Sequence, residues 1–286
     1  MGFDRLIAKI REMGNPTVMG LDPKLSYIPE FIKKSYDDPV LEFNKRLIDA
    51  AEGLVPAVKP QSAYYEMLGP KGAVTLFETI RYAQKKGMFV ILDGKRNDIG
   101  ETSKAYAESY LGDSENSYGA DALTVNGYLG SDGLIPFIDA AKAHDKGIFI
   151  LVKTSNKSSG ELQDLICGNK PVYEIMGDMC EALGEGNIGQ YGYSAVGAVV
   201  GATYPEQLAS LRKKLPHTFF LVPGYGAQGG GAAGLRGGFD KDGGGVIVNN
   251  SRAIMTAWQK ENCKEEQFAE AAQREIVRMR EDLNNA

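Results

Sequence analysis

Short apolar runs recur along the chain, with segments of helical periodicity in most of the intervals between them. The runs cover residues 17–21, 54–58, 88–92, 122–125, 148–152, 196–200, 219–222 and 246–248. Between them, Val74, Phe77, Ile80 and Ala83 predict one helical stripe, and Phe268, Ala272, Ile276, Met279 and Leu283 predict another. Thr203-Tyr204-Pro205-Glu206 reads as a capping box with proline in the first turn, ahead of Leu208 and Leu211. Phe3, Leu6, Ile7 and Ile10 predict a further helix before the first run.

Strands that are apolar almost throughout and separated by helices indicate a parallel sheet covered on its outer face. Eight such units in a chain of 286 residues fit a closed (β/α)8 barrel of the TIM type, for which about 250 residues is usual. The predicted fold class is therefore α/β: a single barrel domain spanning residues 1–286 with an extra N-terminal helix. An open doubly wound sheet is the alternative, because periodicity alone carries no information about closure.

Composition narrows the chemistry. Two histidines in the whole chain leave little room for a histidine-rich metal site or a histidine relay. His144 and His217 read as surface residues. The net charge of −5 argues against a nucleic-acid or membrane-surface binder, which needs a basic face. Cys167, Cys180 and Cys263 are odd in number and lack C-x-x-C spacing, so no disulfide framework or zinc site is expected. With charges throughout the N-terminal segment and no apolar stretch of about 20 residues, a cytoplasmic protein is expected.

In a barrel of this kind the chemistry sits at the C-terminal ends of the strands. There the sequence places Asp22 in GLDP, Lys59 in AVKPQ, and Asp93, Lys95 and Asp98 in DGKRND. Strand alternation puts Asp93 and Lys95 on one side, converging with Lys59 from the neighbouring strand, while Asp98 follows on the loop that starts the next helix. Two ammonium and two carboxylate groups together would form an alternating network. The plainer reading of D-x-K-x-x-D is an exposed strand end with ordinary ion pairs.

Glycine, at 35 residues, concentrates between the seventh and eighth runs, at 224–245. Its GYGAQG matches a dinucleotide fingerprint in letters only, because it follows the seventh strand and leads into more glycine. The stretch reads either as a surface loop or as a closing lid. Gln228 within it and Arg252 after the eighth strand read as a phosphate grip. Lys153-Thr154-Ser155-Asn156, after the fifth strand, offers hydroxyl and backbone groups to a polar ring, or simply an ordinary helix cap.

The motifs GLDP, FNKRLIDA, AVKPQSAYYE, LDGKRNDIGETS, ADALTVNGYLGSD, VKTSNKSSGE, VPGYGAQGGG and VNNSRAI, in this order over nearly the whole chain, resemble the orotidine 5′-monophosphate decarboxylase family in its longer bacterial form. The resemblance implies decarboxylation of orotidine 5′-monophosphate to uridine 5′-monophosphate and CO2, the last step of UMP biosynthesis, without metal or organic cofactor. It implies a catalytic tetrad of Lys59, Asp93, Lys95 and Asp98, with Lys95 protonating C6 of the pyrimidine. It also implies Asp22 on the ribose hydroxyls, Ser155 on the pyrimidine, Gln228 and Arg252 on the phosphate, and a homodimer in which Asp98 and Thr102 reach the partner's site. Two positions depart from the family pattern: Gly127 and Lys157 stand where proline is expected. The rival readings are a Mg²⁺-dependent phosphosugar barrel of the same superfamily, of the hexulose-6-phosphate synthase or keto-gulonate-phosphate decarboxylase type, and a noncatalytic nucleotide-binding barrel. The former carries an acidic residue where this chain has Lys59.

Overall fold

The computed structural model describes residues 2–226 and 231–285. Its strands are β1 Thr17–Leu21, β2 Ala57–Pro60, β3 Phe89–Arg96, β4 Ala122–Val125, β5 Gly147–Lys153, β6 Ile166–Cys167, β7 Lys170–Pro171, β8 Val196–Val200, β9 Phe220–Val222 and β10 Val246–Asn250. Eight of them close into a barrel in the order β1-β10-β9-β8-β5-β4-β3-β2, while β6 and β7 form a separate two-stranded antiparallel sheet. The hydrogen-bonding of β1 to β10 excludes the open sheet.

Strand ends differ from the apolar runs for local reasons. Pro56 has no N–H to give to a ladder, so β2 starts at Ala57 and continues through Lys59 to Pro60. The Pro56 carbonyl still accepts from the Phe89 N–H at 3.0 Å. β3 runs on to Arg96, four residues past its apolar run, and so carries Asp93 and Lys95 within the strand.

Contacts divide the chain into two compact units, Met1–Ala8 with Lys95–Val248 and Lys9–Gly94 with Asn249–Asn285. In the first unit, Phe3 is fully buried, with its ring 4.5 Å from Phe149 and 5.5 Å from Phe219. Gly147 makes room for it: a Cβ there would stand 2.5 Å from the Phe3 ring. Phe3 thus fills the N-terminal end of β5 and anchors the predicted extra helix, Asp4–Met13. Phe3→Ala is expected to cost about 3–5 kcal/mol, read as a lowered midpoint in urea unfolding.

In the second unit, Phe43 of the helix Pro39–Ala51 stacks on Phe268 of the helix Phe268–Asn284 at 5.2 Å. Of the predicted stripe on this last helix, Phe268, Ala272, Ile276, Met279 and Leu283 are all buried. The other stripe is rotated from its prediction. On the helix Pro70–Lys85 the buried face is Gly72, Thr75, Leu76, Thr79, Ile80 and Ala83, and Val74 is 61% exposed. The cause is polar. Asn44 Nδ2 donates to Tyr65 Oη at 3.0 Å and to Thr79 Oγ1 at 3.2 Å, and Thr75 Oγ1 donates to Asp38 Oδ2 at 2.5 Å. These satisfied hydroxyls let threonine take core positions that apolar counting assigns elsewhere.

The capping box also differs. The helix Pro205–Lys214 starts with Pro205, and Tyr204 caps it without a side-chain hydrogen bond. The Thr203 hydroxyl donates instead to the Ser155 carbonyl at 3.3 Å. Of the glycine-rich stretch, Ala232–Gly238 is a 3-10 helix with Leu235 fully buried. A Cβ on Gly237 or Gly238 would stand 2.6 Å from Ala209 or 2.9 Å from Leu208, so this part lies tight against the helix Pro205–Lys214 instead of floating as a loop. No helix among the described residues is long and apolar enough to cross a membrane, and the three cysteines are free thiols.

Candidate active site

The centre of the site is a buried ion pair. Lys59, at the penultimate position of β2, is 3% exposed, and its Nζ donates to Asp93 Oδ2 at 2.8 Å. The Asp93 carbonyl is fixed in turn by the Ser62 N–H at 3.2 Å, and Gln61 bridges to Asp93. Burial works against a charged Lys59. The negative charges of Asp93 and Asp22, and the hydrogen bond to Asp93, outweigh it and hold its pKa above that of an ordinary lysine. Asp22 therefore belongs to the same electrostatic cluster, from the end of β1. Its Oδ1 is buried and makes no hydrogen bond, an acceptor without a donor.

The same unit explains how β10 meets this cluster. Gly20 lies opposite Lys59 in the β1–β2 register, and a Cβ at Gly20 would stand 1.8 Å from Ser251 Oγ. Glycine is required there by this close approach. Asn249 Nδ2 donates to Ser251 Oγ at 3.2 Å, while Asn249 Oδ1 is buried without a partner. Arg252 follows at once, exposed, at the start of the short helix Arg252–Met255.

Lys95 is two residues beyond Asp93 on the same strand and is exposed. Its φ of 48° is a left-handed value that a lysine adopts at a cost of about 1–3 kcal/mol. Strand alternation accordingly ends at Gly94 and does not by itself orient the Lys95 side chain. The conformation is held by Thr124 of β4, whose Oγ1 accepts from the Lys95 N–H at 3.0 Å. Asp98 follows, with its Oδ1 accepting from the Ile99 N–H at 2.9 Å. Its carbonyl lies where a Cβ on Gly133 would come to 2.7 Å, which binds this loop to the helix Ser131–Ala143. Thr102 is exposed on the first turn of the helix Gly100–Leu111. Ile99, next to Asp98 in the chain, and Leu129, which meets Gly133 as the Asp98 carbonyl does, are exposed apolar side chains at 57% and 49%, and Tyr128, next to Leu129, is 76% exposed.

Ser155 sits just past the end of β5, where its carbonyl accepts from Thr203. Gln228 lies outside the described residues. The structure thus brings Lys59, Asp93 and Asp22 together. It places Lys95, Asp98, Thr102 and Ser155 at strand exits and the helix start of the other unit. His144 Nδ1 is 2.7 Å from Asp113 and His217 is exposed and bonded to the Gly192 carbonyl, both away from the strand exits. At the two departures from the family pattern, the Met176 methyl takes the space beside Gly127, where a Cβ would meet it at 2.4 Å, and Lys157 opens a 3-10 turn, Lys157–Ser159. Among the described residues no group of three His, Cys, Asp or Glu side chains is arranged to hold a metal ion.

Ser62, Thr124 and Asn249 support the site and are absent from the sequence reading. Their common signal is a polar residue in or beside an apolar strand run. Such a residue, when buried, needs a partner: Ser62 and Thr124 bond the backbone of Asp93 and Lys95, and Asn249 donates to Ser251.

A closed eight-stranded parallel barrel whose D-x-K-x-x-D strand exit begins with an aspartate paired to a lysine on the adjacent strand places the chain among the (β/α)8-barrel enzymes, which carry their sites at the C-terminal strand ends. The chain belongs to the orotidine 5′-phosphate decarboxylase / HUMPS family, whose model matches residues 18–266. It is 44% identical to an orotidine 5′-phosphate decarboxylase of Rhodopirellula baltica, covering 98% of this chain and 97% of the relative. Identity to the enzyme of the same name from Clostridium novyi is 41%, covering 98% of each. Among solved structures, a putative orotidine-monophosphate decarboxylase from Toxoplasma gondii superposes with a TM-score of 0.81 at 33% identity, over 100% of this chain and 99% of that one. The OMP decarboxylase of Leishmania donovani superposes with a TM-score of 0.75 at 33% identity, over 98% and 99%.

Proposed function

We propose that the chain converts orotidine 5′-monophosphate to uridine 5′-monophosphate and CO2, closing the pyrimidine nucleotide pathway, with Lys59, Asp93, Lys95 and Asp98 as its charged machinery. The observation that carries this reading is the buried Lys59–Asp93 pair at 2.8 Å, in the D-x-K-x-x-D strand exit of a chain of this family. Loss of CO2 from C6 leaves a vinyl carbanion with no conventional electron sink. Lys95 stabilises that developing charge as an ammonium and then gives C6 its proton. Asp93 carries the negative charge that faces the departing carboxylate, and Lys59 fixes the position of Asp93.

The remaining roles follow from what each residue offers. Asp22 Oδ1, buried without a donor, suits a ribose hydroxyl. Ser155 suits the pyrimidine edge, and Arg252 with Gln228 the phosphate. Binding energy at these remote groups supports catalysis by organising the charges and excluding water. No cofactor enters the reading: Asp93 Oδ2 accepts from the Lys59 ammonium at 2.8 Å, a positive charge that works against a divalent cation beside it. A homodimer, with Asp98 and Thr102 completing the partner's site, is supported by their position beside exposed Ile99, Tyr128 and Leu129. One barrel domain over the whole chain and a cytoplasmic setting complete the reading.

The phosphate assignment is tested with Arg252→Ala. Losing about 3–4 kcal/mol of charge-assisted binding lowers kcat/KM for the nucleotide by about 10²- to 10³-fold. Orotidine, which lacks the phosphate, should react equally slowly with both proteins. An equal loss on the nucleoside would contradict the assignment.

A further inference from the structure

Lys153 is the last residue of β5, and its side chain is fully buried. Nothing in the reaction as described uses it. A buried ammonium is costly unless it is paired and hydrogen-bonded, and this one is built into a specific arrangement. Its Nζ donates to Asp164 Oδ1 at 2.7 Å and to Ser159 Oγ at 3.1 Å, and it lies 4.4 Å from the centre of the Tyr204 ring. Each of these partners belongs to a segment that also touches the turn carrying Ser155.

The route from Lys153 to that turn is short. Ser159 Oγ donates to Tyr204 Oη at 3.4 Å, and Tyr204 Oη donates to the Asn156 carbonyl at 3.3 Å. Thr203, next to Tyr204, donates to the Ser155 carbonyl at 3.3 Å. On the other side Gln163, next to Asp164, accepts from the Thr154 N–H at 2.9 Å and donates to Thr154 Oγ1 at 2.8 Å. Residues 154, 155 and 156 are therefore each tied to a neighbour of a Lys153 partner or to that partner itself. The backbone is equally constrained. The β5–β8 register slips between Leu151 and Lys153, the Gly201 N–H donates to the Lys153 carbonyl at 2.7 Å, and a Cβ on Gly201 would stand 2.8 Å from the Ser155 Cα. A bulge of this kind at a strand exit re-aims the residues that follow it.

We propose that Lys153 is a positioning residue: its buried ammonium locks the segment carrying Asp164 and Ser159 to Tyr204, and so sets the placement of Ser155 against the base of the nucleotide. The inference rests on the assignment of Ser155 to the pyrimidine. It adds that discrimination for the base, as opposed to the ribose phosphate, is set from beneath the turn by a charge that never touches substrate.

The test is a binding comparison on the intact protein, using uridine 5′-monophosphate and ribose 5-phosphate as probes and Lys153→Met, Ser155→Ala and their double variant. Lys153→Met is expected to weaken uridine 5′-monophosphate by about 10-fold, the worth of one misplaced hydrogen bond, and ribose 5-phosphate by less than about 2-fold. With substrate, the change should fall mainly on KM. The double variant should bind uridine 5′-monophosphate about as Ser155→Ala does, because the two residues act through one contact. Should Lys153→Met fail to fold, Asp164→Asn, whose side chain is 44% exposed, carries the test with an expected loss of about 3-fold in the same direction. Equal weakening of both probes, or none, would overturn the inference while leaving Ser155 in place. An unchanged uridine 5′-monophosphate affinity in Ser155→Ala would instead remove the assignment on which it rests.

Discussion

Lys95→Ala is expected to lose about 10⁴-fold or more in kcat while still binding uridine 5′-monophosphate. A general acid contributes about 10²–10⁴ and a fixed charge facing a developing anion about 10²–10³, and Lys95 is proposed to supply both. Neither is needed to hold the product, so ground-state affinity should persist. The structure adds a reason to expect sensitivity at this position. Lys95 sits at a φ of 48°, with its N–H held by Thr124, so the backbone is committed to a strained conformation where the side chain is proposed to act. Turnover close to wild type in Lys95→Ala would remove it as the proton donor.

Lys59→Met should damage stability as well as rate. It takes away an ammonium 2.8 Å from a buried carboxylate, and breaking such a pair from one side costs about 3–5 kcal/mol. For a chain of this size that corresponds to a fall in Tm of roughly 10 °C. The substitution Asp93→Asn made in the same chain should restore most of the stability and none of the activity, since it removes the stranded charge along with the machinery. The pH dependence has a definite sign. The folded pKa of Lys59 is raised, so its contribution is complete below the ordinary lysine value of about 10.4 and fades only as pH rises through the higher folded value. The stability gap between wild type and Lys59→Met should therefore stay level across neutral pH and narrow only in strong alkali. A gap that closes on going from pH 7 to pH 9 would contradict the pairing.

The framework of the fold is legible because apolar runs and strands obey the same burial. β1, β4 and β8 coincide with their runs residue for residue, and the helix Phe268–Asn284 buries the stripe that its spacing predicts. Where prediction and structure part, a polar group has a partner that the pattern does not reveal. Thr75 and Thr79 enter the core through Asp38 and Asn44, rotating the helix Pro70–Lys85 away from Val74. Thr203 gives its hydroxyl to Ser155 in place of a helix cap. The β6–β7 hairpin has no apolar run to announce it, being two residues a side and exposed or half-buried.

The site divides in the same way. The Lys59–Asp93 pair follows from adjacent strand exits, because the chain order fixes which strands neighbour each other, although the register sets Gln61 opposite Asp93 and the long lysine side chain spans the offset. The left-handed turn at Lys95, the empty acceptor of Asp22 and the burial of Lys153 depend on three-dimensional neighbours such as Thr124 and Tyr204. No spacing rule reports them. Lys153, which looks in the sequence like an ordinary strand exit, turns out to be the most enclosed charge beside the proposed site.

The most direct test is spectrophotometric: purified protein, treated with EDTA, is mixed with orotidine 5′-monophosphate and the loss of the orotate chromophore is followed, with Lys95→Ala run alongside. The wild-type chain is expected to convert the substrate rapidly and completely to uridine 5′-monophosphate in the presence of EDTA, and the variant not at all on the same timescale. Absence of conversion by the wild-type chain, or conversion that returns only when Mg²⁺ is added, would contradict the proposed function.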